Sequence, residues 1–452
     1  TKHKMKQVPN IKYQIVPPCT SRSDIMGADL LRYLPRIMDK ILAEKLRYMG
    51  AVHIEGPKWC GKTWTGKKHS KSAIFIADSG GGHQNKILAQ TNPDLALEGE
   101  FPRLIDEWQE VPELWDAVRS NIDRIGGKGL FILTGSATPN DKDIIHSGVG
   151  RITTVKMRTM SLFESRDSTG TVSLKDLFDK KFEDHNTGDV NLKHIIQLTV
   201  RGGWPGSLNL TPEDAFKIPK DYLSGVVRND LKKMDGIDRD EDKLWRVLKS
   251  LARNESTLAS KKTILNDVFE EDGAEVSVPT LDSYLAALER LHIIENRKPF
   301  DPNIRSRGRV GKTEKRYFTD PSLAIAALNA TPTSLLNNLE TYGCMFESMC
   351  VRDLTIYAEA VEGELYHYRG RKNYEIDAII ELCDGRWAAF EIKVGFNQVD
   401  EAAENLLKVC EYLSSSSRAG APEFMCVICG MSTAAYRRQD GVYVIPITAL
   451  KD

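Results

Sequence analysis

The sequence has no long hydrophobic run, and its most apolar stretches, such as Leu130–Leu133 and Phe424–Cys429, have only the length of a β-strand. A helix that crosses a membrane needs about 20 apolar residues, so we expect no membrane span. The chain starts with basic residues, but no apolar stretch with a small-residue cleavage site follows them, so we expect no secretory signal. These absences predict a cytoplasmic protein.

The sequence also lacks an excess of charge of either sign. It has 62 Lys and Arg residues against 63 Asp and Glu residues, which gives a formal net charge of -1. This balance excludes a uniformly basic nucleic-acid coat but leaves room for a local basic patch. Its length of 452 residues is enough for roughly three domains of about 150 residues each.

Closely spaced cysteines are scarce. The eight cysteines are scattered along the chain, which is typical of reduced thiols in a cytosolic protein. Cys426 and Cys429 are the one close pair, and they lie in the apolar run FMCVICG with no second pair or histidine after it. We therefore interpret this run as a buried strand and not as a metal or redox site.

Hydrophobic periodicity divides the chain into five parts. The second part alternates short apolar runs with helical stretches, which is typical of an α/β fold with a parallel sheet. The fourth part contains helices of 3.6-residue period and a basic segment at Asn296–Arg316. The parts are an irregular arm (1–33), a core of alternating apolar runs and helical stretches (34–165), a helical lid or linker (166–220), a helical region with the basic segment (221–334) and a mixed region (335–452).

A glycine-rich motif follows the first predicted strand, Ala51–Ile54. Residues 56–63 read GPKWCGKT and match G-x-x-x-x-G-K-[ST] without a gap. Such a loop wraps its backbone N–H groups around phosphate oxygens at a helix N-terminus, so ATP and Mg²⁺ are the predicted cofactors. The candidate nucleotide-binding residues are Gly56, Pro57, Lys58, Trp59, Cys60, Gly61, Lys62 and Thr63, with Lys62 expected on the β and γ phosphates and Thr63 on Mg²⁺.

An acidic pair follows the apolar run Leu104–Ile105. We expect Asp106 to bind Mg²⁺ through water and Glu107 to act as the general base for the attacking water. The alternative is an exposed acidic turn.

Two further residues are candidates at the same site. The predicted strand Leu130–Thr134 ends next to Ser136, which could sense the γ-phosphate or position water, with Thr134 as the second choice; a plain turn serine is the alternative. Arg151 follows a glycine-rich turn and could act as an arginine finger, in cis or from a neighbouring subunit of a homo-oligomer. A surface arginine is the alternative there.

The motifs GPKWCGKT, RLIDEWQ, LTGSATP and SGVGRI, in this order, resemble those of bacterial and archaeal AAA-type ATPases that carry a fused C-terminal domain of unknown function. Arg36, the turn Gly202–Gly206 and the segment Lys315–Pro321 resemble further motifs of that family, and the likeness extends over residues 34–395. The resemblance implies ATP binding, a winged helix-turn-helix in the middle and a restriction-endonuclease-like α/β fold at the end.

The middle region agrees with a winged helix. Thr263–Glu270 and Thr280–Leu291 can form two helices, and two short strands follow them, joined by the basic segment. In a nucleic-acid reader the second helix enters a groove and the basic wing neutralises phosphates. We expect DNA in preference to RNA as the partner. A protein-binding module with a solvated basic loop is the alternative.

The C-terminal region contains an Asp…Glu-x-Lys arrangement. Strand alternation places Glu391 and Lys393 on one face, where Asp377 of an adjacent strand can meet them. Two carboxylates can hold Mg²⁺, and a lysine can stabilise or deprotonate a water. The resemblance to PD-(D/E)XK nucleases adds Glu347 as a helical acid, although Glu-Ile-Asp replaces the usual Pro-Asp. Cross-strand ion pairs are the alternative.

These features predict an ATPase whose nucleotide state controls an attached nucleic-acid-binding and Mg²⁺-dependent nuclease module. The alternative is an ATP-dependent switch or adaptor that binds a protein or DNA partner through a non-cleaving nuclease-like fold. A small-molecule kinase is a more distant alternative, because the sequence has no acceptor-site signature.

Overall fold

A computed structural model describes residues 33–79, 83–136, 147–270, 276–301, 303, 313–370, 374–416 and 420–452. Residues 1–32 of the predicted N-terminal arm lie outside this part of the chain. Residues 35–452 form one compact unit. Among the helices that the structure describes, none combines the length and apolar character needed to cross a membrane.

The first sheet has five parallel strands in the order β2-β3-β4-β1-β5. It confirms the predicted α/β core, in which the carboxyl ends of all strands share one edge. The fifth strand was not predicted, because its sequence ITTVK at the sheet edge has only two buried residues and forms no continuous apolar run. The strands are β1 Ala51–Glu55, β2 Ser72–Phe75, β3 Arg103–Asp106, β4 Phe131–Gly135 and β5 Ile152–Lys156.

Helices cover both faces of this sheet. Met38 and Leu42 pack on one face with Ile54, whereas Trp108 and Leu114 pack on the other. This double burial explains why the central strands read as continuous apolar runs. The helices are α1 Ile37–Tyr48, α2 Lys62–His69, α3 Gln84–Thr91, α4 Pro93–Ala96 and α5 Glu113–Ile125, with a 3-10 turn at Trp108–Glu110.

The predicted lid or linker, residues 166–220, divides between two locations. Its first half joins the C-terminal part of the fold, because His185–Asn186 pairs with Ala434 and Ala435, and Val172–Ser173 pairs with Leu450–Lys451. Its second half is helical, as expected. The elements up to residue 235 are β6 Val172–Ser173, α6 Leu174–Phe178, β7 His185–Asn186, α7 Leu192–Arg201, a 3-10 turn Pro205–Ser207, α8 Pro212–Ala215, α9 Ile218–Gly225, a π turn Val226–Asp230 and α10 Leu231–Asp235.

The middle region consists of three helices and a two-stranded antiparallel sheet. Ser277 caps the third helix by accepting a hydrogen bond from the backbone N–H of Thr280, and Pro279 occupies the first turn. Residues 302 and 304–312 of the predicted basic wing lie outside the described residues. The elements are α11 Glu241–Arg253, α12 Lys261–Glu270, α13 Val278–Arg290, β8 Ile294–Arg297 and β9 Lys315–Phe318.

The C-terminal region builds a mixed sheet of seven strands in the order β10-β11-β12-β13-β15-β14-β7. Strands β10 to β12 are antiparallel neighbours, and β12, β13 and β15 run parallel. The elements are α14 Pro321–Ala327, α15 Pro332–Asn337, α16 Leu339–Ala360, β10 Gly363–Arg369, β11 Glu375–Leu382, β12 Trp387–Lys393, a 3-10 turn Phe396–Gln398, α17 Val399–Ser416, β13 Phe424–Cys429, β14 Ala434–Arg437, β15 Tyr443–Ile445, a 3-10 turn Ile447–Ala449 and β16 Leu450–Lys451.

Two long helices cover opposite faces of this mixed sheet. Phe346 and Met349 of α16 belong to the core on one face, and Leu406 and Val409 of α17 belong to the core on the other. Strand β13, which contains Cys426 and Cys429, is buried between them, as predicted for the FMCVICG run.

Candidate functional sites

The GPKWCGKT segment forms a loop between β1 and α2. Two of its glycines adopt positive backbone angles, with φ of 150° at Gly56 and 108° at Gly61. A Cβ atom at Gly56 would lie 2.1 Å from the backbone oxygen of Met157, so only glycine fits there. The loop therefore presents the free N–H groups of the α2 N-terminus at the carboxyl edge of the sheet, and this arrangement fits phosphate oxygens.

Lys62 lies across the mouth of this loop. Its Nζ donates hydrogen bonds to the backbone oxygens of Gly56 and Pro57, both at 2.8 Å, and the side chain is buried. Burial lowers the pKa of the neighbouring His53 to about 3, and the charge of Lys62 adds to this effect. The ammonium of Lys62 is thus the positive charge that the site offers to an anion.

Asp106 and Thr63 meet at the same edge. The Thr63 hydroxyl donates to Oδ1 of Asp106 at 2.8 Å, and the Thr134 hydroxyl donates to the same oxygen at 2.6 Å. A hydroxyl beside a carboxylate is the kind of oxygen ligand set that Mg²⁺ takes together with nucleotide phosphates. These residues fit a magnesium nucleotide.

Glu107 lies next to Asp106 but has separate partners. It adopts a left-handed backbone conformation with φ of 55°. Its Oε2 accepts hydrogen bonds from the Ser136 hydroxyl at 3.3 Å and from the side chain of Gln109. Ser136 therefore contacts the candidate base, whereas Thr134 contacts the candidate metal ligand.

Arg151 lies at the opposite edge of the sheet. Its backbone oxygen accepts from the N–H of Ala51, the first residue of β1, and its guanidinium pairs with Asp123 at 2.9 Å. The glycine-rich loop begins after the last residue of β1, about 16 Å away at roughly 3.3 Å per residue. Contact with a phosphate bound by the same chain, one of the two predicted roles, is therefore ruled out.

Arg36 braces the loop from behind. Its guanidinium donates to the backbone oxygens of Cys60 at 2.7 Å and Arg158 at 2.9 Å, and it pairs with Glu164 at 3.0 Å. Sequence reasoning noted Arg36 as a family motif, but its partners are far away in the chain. It supports the loop rather than touching the phosphate position.

Lys58 and Trp59, two of the predicted nucleotide-binding residues, direct their side chains away from the loop interior. Lys58 pairs with Asp230 at 2.7 Å. Trp59 is 67% exposed. These two residues contribute their backbone to the loop and not their side chains.

The predicted C-terminal residues Asp377, Glu391 and Lys393 lie together. The Lys393 ammonium donates to Oε2 of Glu391 at 2.7 Å and to Oδ2 of Asp377 at 3.3 Å. The two carboxylate oxygens are therefore no more than about 6 Å apart. The backbone N–H of Ile392 also donates to Asp377 at 2.8 Å, which fixes this carboxylate against β12.

The charged groups in this cluster shift one another's pKa values. Burial raises the pKa of Glu391 to about 8, and the neighbouring Asp377 adds to the rise. Burial alone would raise the pKa of Asp377 too, but Lys393 and Lys315 bring it below its ordinary value. Burial would lower the pKa of Lys393, yet the two carboxylates raise it. Lys393 is thus a charged ammonium here and suits electrostatic stabilisation better than proton abstraction.

Glu347 faces the same cluster from α16. Its Oε1 accepts from Lys315 Nζ at 2.7 Å and from the Tyr317 hydroxyl at 2.8 Å, and burial raises its pKa to about 7. Asn405 of α17 donates to Oε1 of Glu391 at 3.0 Å. Sequence reasoning missed Asn405, and it quoted Lys315 and Tyr317 only as parts of a motif, because nothing in the local pattern names their partners.

The C-terminal cluster offers two carboxylates as ligands for Mg²⁺. Within the described ranges, no three His, Cys, Asp or Glu side chains are placed to hold a metal ion. Mg²⁺ keeps several waters and is often bound by one or two carboxylates together with substrate phosphates. The pair Asp377 and Glu391 satisfies that requirement.

Three family models match successive parts of the chain. An AAA domain matches residues 49–165, and two domains of unknown function match residues 192–334 (DUF8612) and 342–450 (DUF4143). The first match and the loop geometry together define an AAA-type P-loop ATPase domain. The chain contains this domain in its N-terminal part.

The names of two proteins with similar sequences state no activity. Uncharacterized proteins of Mycobacterium tuberculosis (Rv2008c) and Mycobacterium bovis (Mb2031c) are each 25% identical over 360 residues, which cover 78% of this chain and 72% of theirs.

Two solved structures are similar in part. The Walker-type ATPase paby2304 of Pyrococcus abyssi has 16% identity and a TM-score of 0.40, covering 69% of this chain and 98% of that chain. AMPPCP-bound DnaA from Aquifex aeolicus has 13% identity and a TM-score of 0.25, covering 55% and 85%. With TM-scores this low, the ATPase class rests on the AAA-domain match and on the loop.

Proposed function

We propose that this protein binds ATP with Mg²⁺ at residues 56–63, hydrolyses it, and uses its nucleotide state to control an attached module that cleaves nucleic acid. The observation that supports ATP binding and hydrolysis is the contact between Thr63 and Asp106, which are 43 residues apart in the sequence. This contact lies at the mouth of the loop that requires glycine at Gly56. Bound Mg²⁺ would neutralise charge on the phosphates.

Each residue at this edge has a task in the proposed hydrolysis. The loop N–H groups and Lys62 bind the phosphate oxygens. Thr63 and Asp106 would hold the metal ion. Glu107 accepts the proton of the attacking water, and Ser136 orients its carboxylate through the hydrogen bond at 3.3 Å.

The middle module is proposed to be a winged helix-turn-helix that contacts DNA. Three helices followed by an antiparallel β-hairpin support this assignment. The basic wing needs one correction, because Arg297 and Lys315 are buried in ion pairs with Glu295 and Glu347 and do not face solvent. The predicted phosphate contacts from the centre of the wing lie outside the described residues.

The C-terminal module is proposed to cut phosphodiester bonds. The hairpin of β11 and β12 carries Asp377, Glu391 and Lys393 on one face of a mixed sheet between two helices, as in restriction-endonuclease-like folds. The two carboxylates would hold Mg²⁺, and the Lys393 ammonium stabilises negative charge on the phosphate.

Nicking of a supercoiled DNA plasmid tests the nuclease part. We expect the wild type to nick the plasmid with Mg²⁺ and ATP, and we expect Lys393→Ala and Asp377→Asn to lose this activity. Lys180→Ala is the matched control, since Lys180 is exposed and pairs with Glu423 at the rim of the same sheet. Nicking that survives both cluster substitutions would overturn the nuclease assignment.

One observation favours a second candidate function, an ATP-dependent switch or adaptor that binds its partner without cutting. Lys315 and Lys393 already pair with three carboxylates of the C-terminal cluster. A cluster whose carboxylates are already paired with its own lysines can serve as a rigid binding surface. A wild type that binds DNA in an ATP-dependent manner, yet never nicks it with Mg²⁺ or Mn²⁺, would favour this candidate.

A further inference from the structure

Lys315 reaches the C-terminal cluster from a different module. It is the first residue of β9, in the hairpin of the middle region, and is 2% exposed. Its Nζ lies 2.7 Å from Oε1 of Glu347 and 3.7 Å from Oε1 of Glu375. The carboxylate cluster is therefore shared between two modules.

The hairpin geometry explains how Lys315 is delivered. Alternate residues of a strand point to the same face, and both Lys315 and Tyr317 of β9 donate to the same oxygen of Glu347. Lys315 pairs in register with Arg297 of β8. Docking of the hairpin thus inserts an ammonium and a hydroxyl into the cluster together.

The charges around this ammonium are unbalanced. Four carboxylates and two ammonium groups meet in the cluster, and one of these carboxylates, Glu375, also pairs with the guanidinium of Arg369 at 3.7 Å. One negative charge is therefore in excess when all the groups are ionised. The charge of Lys315 also helps to lower the pKa of Asp377, so its field reaches the carboxylate that would bind metal. The charged groups are Glu347, Glu375, Asp377, Glu391, Lys315, Lys393 and Arg369.

We propose that Lys315 is a built-in cation of the C-terminal carboxylate cluster, supplied by the middle module, and that it restrains divalent-cation binding by Asp377 and Glu391. This inference rests on the metal-binding role proposed for that cluster and adds a positioning residue to it. Because Lys315 belongs to the hairpin, the affinity of the cluster for metal depends on whether the hairpin is docked.

Mn²⁺ binding to the full chain without nucleotide tests this inference. The free-ion signal in electron paramagnetic resonance reports the affinity. Removal of one positive charge whose field reaches Asp377 predicts binding that is tighter by about tenfold or more in Lys315→Gln. Lys315→Met is measured beside it, so that the result does not depend on one substitution, and Lys315→Arg is expected to match the wild type.

The matched control is Lys298→Gln. Lys298 immediately follows β8 of the same hairpin, but it is exposed and pairs with Glu364 outside the cluster. A merely structural ion pair at Lys315 would leave Mn²⁺ affinity equal in Lys315→Gln and Lys298→Gln, and that result would overturn the inference. Adding Asp377→Asn to Lys315→Gln should abolish the tighter binding.

The outcomes separate this inference from the proposed nuclease function. Wild-type binding that depends on Asp377, with no gain in Lys315→Gln or Lys315→Met, overturns the inference and leaves the metal site standing. A gain in these variants, with no plasmid nicking by the wild type, supports the inference and overturns the nuclease. Absence of Mn²⁺ binding in all of them overturns both.

Discussion

Two neighbouring acidic residues at the carboxyl edge of the first sheet differ in their hydrogen-bond partners. Asp106 accepts from two threonine hydroxyls, Thr63 and Thr134, whereas Glu107 accepts from Ser136. This division fits the roles proposed above, with the metal on the aspartate and the proton on the glutamate.

The first prediction concerns Glu107. Glu107→Gln keeps the shape of the side chain but removes the base, so we expect ATP hydrolysis to fall by about 10²- to 10⁴-fold while ATP binding is retained. A single-turnover hydrolysis assay beside equilibrium ATP binding measures both. Glu110→Gln is the control, because Glu110 lies in the same turn but pairs with Lys86 at the surface. Equal hydrolysis in the two variants would contradict the assignment.

The second prediction concerns Glu255, which is buried and accepts from the backbone N–H of Phe318 and the hydroxyl of Ser348. Burial raises its pKa from 4.5 to about 8. The folded state therefore holds a proton that the unfolded state releases, and the contribution of Glu255 to stability is fully present below pH 4.5 and is lost as the pH rises to about 8.

Glu255→Gln should flatten this dependence. Each unit of pKa separation is worth about 1.4 kcal/mol, so the variant gains stability relative to the wild type as the pH rises. Urea unfolding between pH 5 and pH 8 measures the difference, with Glu404→Gln on the exposed face of α17 as the control. A constant difference between Glu255→Gln and the wild type across this range would count against the buried-acid account.

For single residues, the sequence indicates the contact partners of a side chain only where a motif implies them. The glycine-rich motif and the acidic pair named Thr63 and Asp106, whose side chains are in contact in the structure. The sequence could not place Arg151, because a glycine-rich turn before an arginine does not tell which end of a parallel strand it occupies. Its role as a finger from a neighbouring subunit stays a prediction. The partners of Asn405 depend on the packing of α17 against β12 and could not be derived from local sequence.

Helix α16 joins the modules at the scale of elements. Its Arg352 pairs with Asp320 at 2.9 Å and with Asp353, and Asp353 accepts from the backbone N–H of Leu162 at 2.8 Å. Asp320 in turn caps α14 and accepts from Thr159 at 2.7 Å. The network connects the end of the ATPase core to the C-terminal module.

The third prediction compares two aspartates that both cap helices. Asp320→Ala leaves the buried Arg352 short of a partner, so we expect a loss of about 3–5 kcal/mol in the free energy of unfolding. Asp240→Ala removes an exposed cap of α11, which accepts from the backbone N–H of Lys243, and should cost about 1 kcal/mol. Thermal and urea unfolding measure both values. Similar losses of unfolding free energy in the two variants would show that the buried network adds no stability beyond helix capping.

Elements with strong local patterns could be predicted, and elements defined by distant partners could not. The central strands β1, β3 and β4 and the caps of the middle helices follow from apolar runs and from Ser277. Strand β7 has two residues, and it exists because β14 pairs with it from about 250 positions along the chain. No local signal can report such a pairing.

At the scale of the whole molecule, one ionic junction connects the three modules beside the nucleotide loop. Arg158 follows β5 and pairs with Glu295 of the middle hairpin at 2.7 Å and with Glu359 of α16 at 2.6 Å. Lys156 also pairs with Glu295 at 3.1 Å. Because the opposite strand of that hairpin carries Lys315, the junction is physically continuous with the C-terminal cluster.

The fourth prediction follows from this junction. Glu295→Gln removes the charge that holds the hairpin to Arg158, so ATP hydrolysis should persist while the effect of ATP on plasmid nicking is lost. If ATP binding and nicking are coupled with the strength usual in allosteric proteins, ATP should change plasmid nicking by the wild type about 5- to 150-fold. Glu364→Gln is the control, since Glu364 pairs with Lys298 at the surface. Undiminished ATP dependence in Glu295→Gln would exclude the junction as the coupling element.

The central claim is that residues 56–63 bind ATP, and titration calorimetry with ATP and Mg²⁺ tests it most directly. We expect the wild type to bind, and Lys62→Ala to bind about 10- to 100-fold more weakly, because it loses a charged hydrogen-bond donor to the phosphates. Lys58→Ala, in the same loop but paired with Asp230, should bind like the wild type. No binding by the wild type, or equal binding by Lys62→Ala, would contradict the account.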